Sequence, residues 1–240
     1  MPAYPDDLRE RDRFITSRRP PRPAHDPWHS QGVIVERELT EAGDVTDVAT
    51  VFLTGRECPW RCVMCDLWRF TTPEPTPPGA IAAQTRDAVR RVQLSGRVTR
   101  IKLYNAGSFF DPLAVPPGDL DDVASATCTF ERIIVESHPS LIGARTETFA
   151  AALLHHAQAQ GRAAPTLEVA MGLETAHPAA LERIHKRMTE ADFRRAAGRL
   201  ADMGAALRVF LLISPPFIPA GEQDDWLIRS VDTAFEAGAT

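Results

Sequence analysis

Apolar positions from residue 47 onward fall into two alternating rhythms. Short continuous apolar runs at 48–53, 99–104, 132–136, 167–172 and 206–213 predict buried strands. Between them, apolar residues recur three and four apart, as on one face of a helix. Ile81, Thr85, Ala88, Val89 and Val92 mark the first such face, and 120–127 a shorter helix. Phe149, Leu153, Leu154 and Ala157 mark a third. A fourth carries Phe193, Ala196, Ala197 and Leu200, with Thr189 as N-cap, Asp192 three residues on and Gly204 as its stop. Leu227, Val231 and Ala234 define the last.

Strand–helix alternation of this kind predicts an α/β fold, with parallel strands covered by helices through right-handed crossovers. Barrels of this class place their sites at the C-terminal ends of the strands. The distinctive residues sit there. Cys58 follows the first strand, Asn105 the second, Glu136 ends the third, Glu174 follows the fourth and Ser214 the fifth. One shared site is expected. The chain ends at Gly238-Ala239-Thr240, where a next strand would begin, so the barrel is expected to be partial, either truncated or left open.

Residues 1–46 are expected to form an irregular N-terminal arm, and 47–240 the core domain. Pro2, Pro5, Pro20, Pro21, Pro23 and Pro27 deny the arm regular hydrogen bonding. Its Arg18, Arg19 and Arg22 are largely balanced by Asp6, Asp7, Glu10 and Asp12, which suggests a solvated tail.

With 240 residues, the chain is long enough for one substantial core. A net charge of −5 argues against a surface that coats nucleic acid. Residues 1–24 contain no apolar secretory segment, and no stretch is long and apolar enough to span a bilayer. A cytoplasmic protein with no membrane partner is expected. Lys occurs only at 102 and 186. Three of the four cysteines lie within eight residues, and such crowding points to metal or redox chemistry rather than disulfides.

Those three form a CxxxCxxC motif, Cys58-Pro59-Trp60-Arg61-Cys62-Val63-Met64-Cys65. Three thiolates on one loop can ligate three irons of a [4Fe–4S] cluster and leave the fourth iron open to a cofactor or substrate. The competing chemistry is zinc, which usually takes four ligands. There is no second CxxC, Cys128 is isolated and suits a buried structural thiol, and His155 and His156 are adjacent on one helix and poorly placed as joint ligands. A non-catalytic zinc or iron–sulfur module that docks a partner protein or RNA therefore stands as the alternative. Trp60, Trp68 and Phe109 could stack bases in such a module, or simply pack around the cluster.

The motif and the strand before it, Thr50 to Cys58, resemble the radical S-adenosylmethionine (SAM) superfamily, in particular the cores of elongator-type tRNA-modifying enzymes and oxygen-independent coproporphyrinogen oxidases. The resemblance covers about residues 47–240 and implies a partial TIM-like radical SAM barrel. It implies a [4Fe–4S] cluster on Cys58, Cys62 and Cys65, whose open iron chelates SAM. One electron then cleaves SAM to a 5′-deoxyadenosyl radical that abstracts hydrogen from the substrate. No catalytic side chain beyond the cluster is implied. An electron donor such as flavodoxin or ferredoxin is.

Further residues follow from the same resemblance. Asn105, Gly107 and Ser108 fall where relatives bind the SAM amino group. Glu136 falls at the acidic strand end that contacts SAM, and Glu174 where a Gln meets the ribose. Lys186 falls where an Arg often faces the SAM carboxylate. Met64 replaces the usual aromatic residue near adenine. The usual Gly-Leu-Pro-Gly is replaced by Ser214-Pro215-Pro216-Phe217, and Phe210 replaces the Asp of the coproporphyrinogen oxidases, which disfavours heme biosynthesis. The longer phrases from Glu57 to Arg69, Tyr104 to Pro112, Val135 to Pro139 and Met171 to Thr175 look like the radical SAM subunits of archaeosine synthases. That family implies C–N lyase chemistry on a 7-deazaguanine of tRNA, with a partner subunit; for this chain lyase and transferase chemistry both stay open.

Overall fold

The computed structural model describes residues 3–94, 96 and 98–239. Six strands form one sheet: β1 (Gly32–Leu39), β2 (Val45–Phe52), β3 (Arg100–Tyr104), β4 (Arg132–Glu136), β5 (Thr166–Glu174) and β6 (Ala206–Leu211). They lie in chain order, β1 antiparallel to β2 and all later neighbours parallel. A doubly wound sheet would reverse its strand order partway; this one does not. The helices α2 (Ala80–Gln93), α3 (Asp119–Thr127), α4 (Ala144–Ala159) and α6 (Glu190–Asp202) contribute to one apolar core against one face of the sheet.

Odd-numbered strand residues make that core. Val51, Leu103, Val135, Val169 and Leu207 pack against Ile81, Val123, Phe149 and Phe193. Even-numbered residues face the other way, and their chemistry differs. Val48, Ile134 and Ala170 form only a small apolar cluster. Around it run charges. Lys102 bonds to Glu36 at 2.9 Å and also to Glu38. Arg132 bonds to Glu168 at 2.6 Å and to Glu41 at 2.8 Å. Arg208 reaches Glu168 and, at 3.3 Å, Glu38.

The Arg208–Glu38 pair shows the shape of the sheet, because it joins β6 to β1, the two edges. In a flat sheet those strands would lie about 24 Å apart, five strand spacings. Side chains meet across that gap only if the sheet is strongly curled. The fold is therefore an α/β, partial TIM-like barrel, unclosed among the described residues. Beyond β6, α7 (Gln223–Glu236) leads to Ala239, which makes a parallel bridge to Leu207. That is where a next strand was expected; Thr240 lies outside the described residues.

The expected core strands and helices all form, with small shifts at their ends. Thr189 and Asp192 form the predicted capping box, and Gly204 takes φ 69° at the helix end. The N-terminal expectation needs correction. Residues 1–46 are not irregular throughout: α1 (Leu8–Thr16) and β1 lie within them, and 47 falls inside β2. β1 hides from an apolar-run criterion because its inward positions carry Glu36 and Glu38. α1 hides because its buried residues are Ile15 and Arg11, the latter 1% exposed. The short α5 (Pro178–Arg183) was also not expected.

Glu168 is the acid on which Arg132 and Arg208 converge, and it is 3% exposed. Glu168→Ala leaves two half-buried guanidiniums facing one another. It is expected to lower stability by about 3 kcal/mol, read as a drop in the urea unfolding midpoint, with Glu168→Gln recovering part of the loss.

Candidate functional site

A cavity of about 640 Å³ opens at the C-terminal ends of β2 to β6. Phe52, Tyr104 and Phe210 continue the even-numbered face of the sheet into it, and Glu136 and Glu174 reach it from β4 and β5. Met64 and Cys65 face it from the cysteine loop, with Leu67 and Phe70 at its rim. Ser214 does not join them: it is exposed and lies outside the lining, where Leu212 stands instead. The bulge at Gly172 to Glu174 accounts for the placing of Glu174, which takes φ 67°.

Cys58, Cys62 and Cys65 are free thiols, each half-buried, on the loop after β2. The Cys65 N–H donates to the Cys62 carbonyl at 3.1 Å, and the Arg61 guanidinium to the Cys58 carbonyl at 2.6 Å. Burial pushes the Cys58 and Cys62 thiols up to about 12 and raises Cys65 as well. No group of three or more His, Cys, Asp or Glu side chains among the described residues converges in a way that would hold a single metal ion. Cys128 is buried beneath Gln160, which donates to its sulfur at 3.2 Å.

The end of β3 lies against this loop. A Cβ on Gly107 would stand 3.1 Å from the Arg56 carbonyl and 3.6 Å from the Cys58 nitrogen, so glycine permits the close approach there. Asn105 is fully buried, and both its amide nitrogen and its amide oxygen lack a partner among the described residues. Its backbone N–H donates to the Glu136 carboxylate at 2.9 Å. Burial raises Glu136 to about 7 against the pull of that bond. Ser108 instead supports the neighbouring strand end, where its hydroxyl accepts from the His138 N–H at 3.0 Å.

Glu174 and Lys186 are brought together rather than held apart. The Lys186 ammonium donates to Glu174 at 2.6 Å and to the Gly172 carbonyl at 2.5 Å, and Lys186 is 7% exposed. A Cβ on Gly172 would collide with both partners of this pair.

Two residues here gained no role from the sequence. His138 stacks on Trp60 with centroids 3.7 Å apart. Its Nδ1 accepts from the Ser140 N–H, and a backbone carbonyl can only accept, so Nε2 carries the proton and donates to the Lys186 carbonyl at 3.0 Å. Burial holds this ring neutral, with its pKa down at about 3. The His138-Pro139 pair that ends the Val135 to Pro139 phrase was the signal that could have found it. Glu57, immediately before Cys58, is the other; it accepts from Arg19 at 2.7 Å, from Arg61 at 2.9 Å and from Arg22. Arg19 and Arg22 are thus not part of a solvated tail, since their carboxylate partner lies outside the arm.

Glu136 gives a pH signature. Its folded value of about 7 lies above the ordinary 4.5, so the folded chain binds this proton more tightly than the unfolded chain. That contribution is fully present below about 4.5 and is lost as pH rises through 7. Glu136→Gln is expected to gain stability on wild type between pH 5 and pH 8, by on the order of 1–3 kcal/mol. Urea titrations of the metal-free proteins at several pH values check this.

No family model matches the chain. Archaeosine synthase subunit beta of Methanosarcina acetivorans is 26% identical over 200 residues, which are 80% of this chain and 55% of that protein. The chain thus spans about half the length of the curated relative that it matches. Among solved structures, the cobalamin-dependent S-adenosylmethionine radical enzyme OxsB with aqua-cobalamin matches with a TM-score of 0.48 and 13% identity, over 82% of this chain and 31% of that one. The same enzyme with aqua-cobalamin and S-adenosylmethionine gives 0.45 and 15%, over 82% and 31%. The resemblance of the ordered motifs to the radical SAM superfamily therefore extends to a similarity, over four-fifths of the chain, to archaeosine synthase subunit beta.

Proposed function

We propose that this chain is a radical SAM enzyme in which Cys58, Cys62 and Cys65 hold a [4Fe–4S] cluster and SAM lies beside it in the cavity. One observation carries the proposal: the cysteine loop and the ends of β3, β4 and β5 meet at a single cavity. The donor set suits a cluster. Three thiols on one loop can each be taken by a different iron of a cluster. When bound, the cluster and SAM supply a carbon-centred radical for hydrogen abstraction.

The chain's own residues bind, orient and exclude water. Asn105 presents a buried amide with donor and acceptor both free among the described residues, a group that costs stability until something polar meets it. It suits an amino or carboxylate group of SAM, with Gly107 giving close backbone approach and Ser108 bracing His138. Glu136 and Glu174 offer acceptors for amino and ribose hydroxyl groups. Lys186 presents a cation for the SAM carboxylate, at the cost of sharing it with Glu174. Met64 and the aromatic side chains of Phe52, Tyr104 and Phe210 give the cavity an apolar wall, suited to planar rings.

The substrate we propose is a tRNA nucleoside, with archaeosine-type lyase chemistry on a 7-deazaguanine, supported by the similarity to archaeosine synthase subunit beta. That relative is a subunit, and we extend to this chain a partner subunit, together with a flavodoxin- or ferredoxin-type electron donor and a cytoplasmic setting. No helix among the described residues is long and apolar enough to cross a membrane.

Anaerobic reconstitution with iron and sulfide, followed by dithionite and SAM, is expected to yield 5′-deoxyadenosine with wild type and only background with Cys62→Ala. Full cluster occupancy without SAM cleavage would overturn the radical chemistry. One zinc per chain, with neither iron nor sulfide, would replace it with the metal-binding module.

A further inference from the structure

Residues between α1 and β1 run across the cysteine loop with little regular backbone structure, yet they are pinned at both ends. At one end α1 docks on the segment that carries Lys186. Asp12 accepts from His185 at 3.0 Å and from Arg187 at 2.5 Å, Arg11 reaches Glu182 at 2.6 Å, and the Tyr4 hydroxyl donates to the Arg183 carbonyl at 2.8 Å. At the other end Gln84 donates to the Pro27 carbonyl at 2.5 Å, and Gln31 to Thr54 at 2.8 Å.

Between these anchors the grip is made by side chains, and it falls on both flanks of the cysteines. Arg19 and Arg22 close on Glu57, one residue before Cys58, where the carboxylate side chain is only 10% exposed. The same two guanidiniums lie over the Trp68 ring, at 4.7 and 5.8 Å from its centroid, three residues after Cys65. His25 then bonds to the Arg69 carbonyl at 2.6 Å.

We infer that residues 17–31 are a retaining strap for the cysteine loop, and that Glu57 is the positioning residue on which the strap closes. Arg61, held by Glu57, passes the order inward by donating to the Cys58 carbonyl. The inference rests on the preceding proposal for what the cysteines hold, but the ordering of the loop by the strap does not.

Two measurements on Arg19→Ala/Arg22→Ala separate these. In metal-free protein, amide exchange over residues 57–69 is expected to be about tenfold faster than in wild type, with 132–136 unchanged. After anaerobic loading with iron and sulfide, loss of visible absorbance to an iron chelator is expected to be about tenfold faster. Arg19→Lys/Arg22→Lys keeps the charges and should restore retention to within about twofold, short of full rescue because lysine lacks the guanidinium fork. Exchange and iron loss both equal to wild type would overturn the strap. If wild type takes up no iron, the cluster proposal falls while the exchange comparison still decides the strap. Should the double variant fail to fold, Arg22→Ala alone carries the same comparison.

Discussion

Charges on the concave face of the sheet have to be neutralised within a space that the curl itself encloses, and the way they pair sets the shape on which the site is built. A barrel of this kind usually fills its interior with branched apolar side chains. Here Lys102, Arg132 and Arg208 alternate with Glu36, Glu38, Glu41 and Glu168 instead. Buried ion pairs of this sort contribute little net stability against an apolar replacement, but a partner removed alone is costly. Their consequence is geometric. The Arg208–Glu38 contact spans the whole sheet, with β1 and β6 turned toward one another. Without that curl, Glu136 and Glu174 would not share a cavity with Met64 and Cys65.

The upper half of the same face has a different problem. Its groups are buried without full compensation. Asn105 has an amide without a partner among the described residues, Glu136 is raised to about 7, and the Cys58 and Cys62 thiols are raised to about 12. Below them nearly every charge is paired. The contrast separates a floor whose charges are paired from strand ends whose polar groups are buried without a full set of partners among the described residues, the kind of place where functional groups cluster.

How much of this was legible depended on whether the signal was local. Strands packed on helices showed as apolar runs, because their odd-numbered residues enter the core and several of their even-numbered ones are buried as well: Val48, Ile134 and Ala170. The helix from Glu190 announced itself through Thr189, Asp192 and Gly204, all within a few residues of its ends. Where the stabilising partner is far away, the sequence was silent. Arg11 looks like a surface residue until Glu182 is placed beside it, 171 positions on. Arg19 and Arg22 look balanced by nearby acids, yet their partner is Glu57. The two lysines showed the same limit, since composition could mark them as rare but not that both are buried in ion pairs. Of the site residues, the cavity gathers Met64, Cys65, Glu136 and Glu174 into its lining, while Cys58, Cys62, Asn105, Gly107, Ser108, Lys186 and Ser214 lie outside it.

Backbone strain near Lys186 shows why the N-terminal segment belongs to the site rather than to its periphery. Glu174, His185 and Arg187 have φ of 67°, 68° and 58°, a region that costs a residue with a side chain on the order of 1 kcal/mol or more. Such conformations persist only where their surroundings over-determine them. Lys186 lies between two of the three, and its ammonium bonds to the third. What holds the segment comes from two directions: His138 takes the Lys186 carbonyl from the sheet side, and Asp12 of α1 takes His185 and Arg187 from the other. Trp60 stacks on that same His138, so the cysteine loop and the lysine segment share one support. The position of Lys186 is therefore set jointly by β4, the cysteine loop and an N-terminal helix whose docking depends on partners more than 170 positions away.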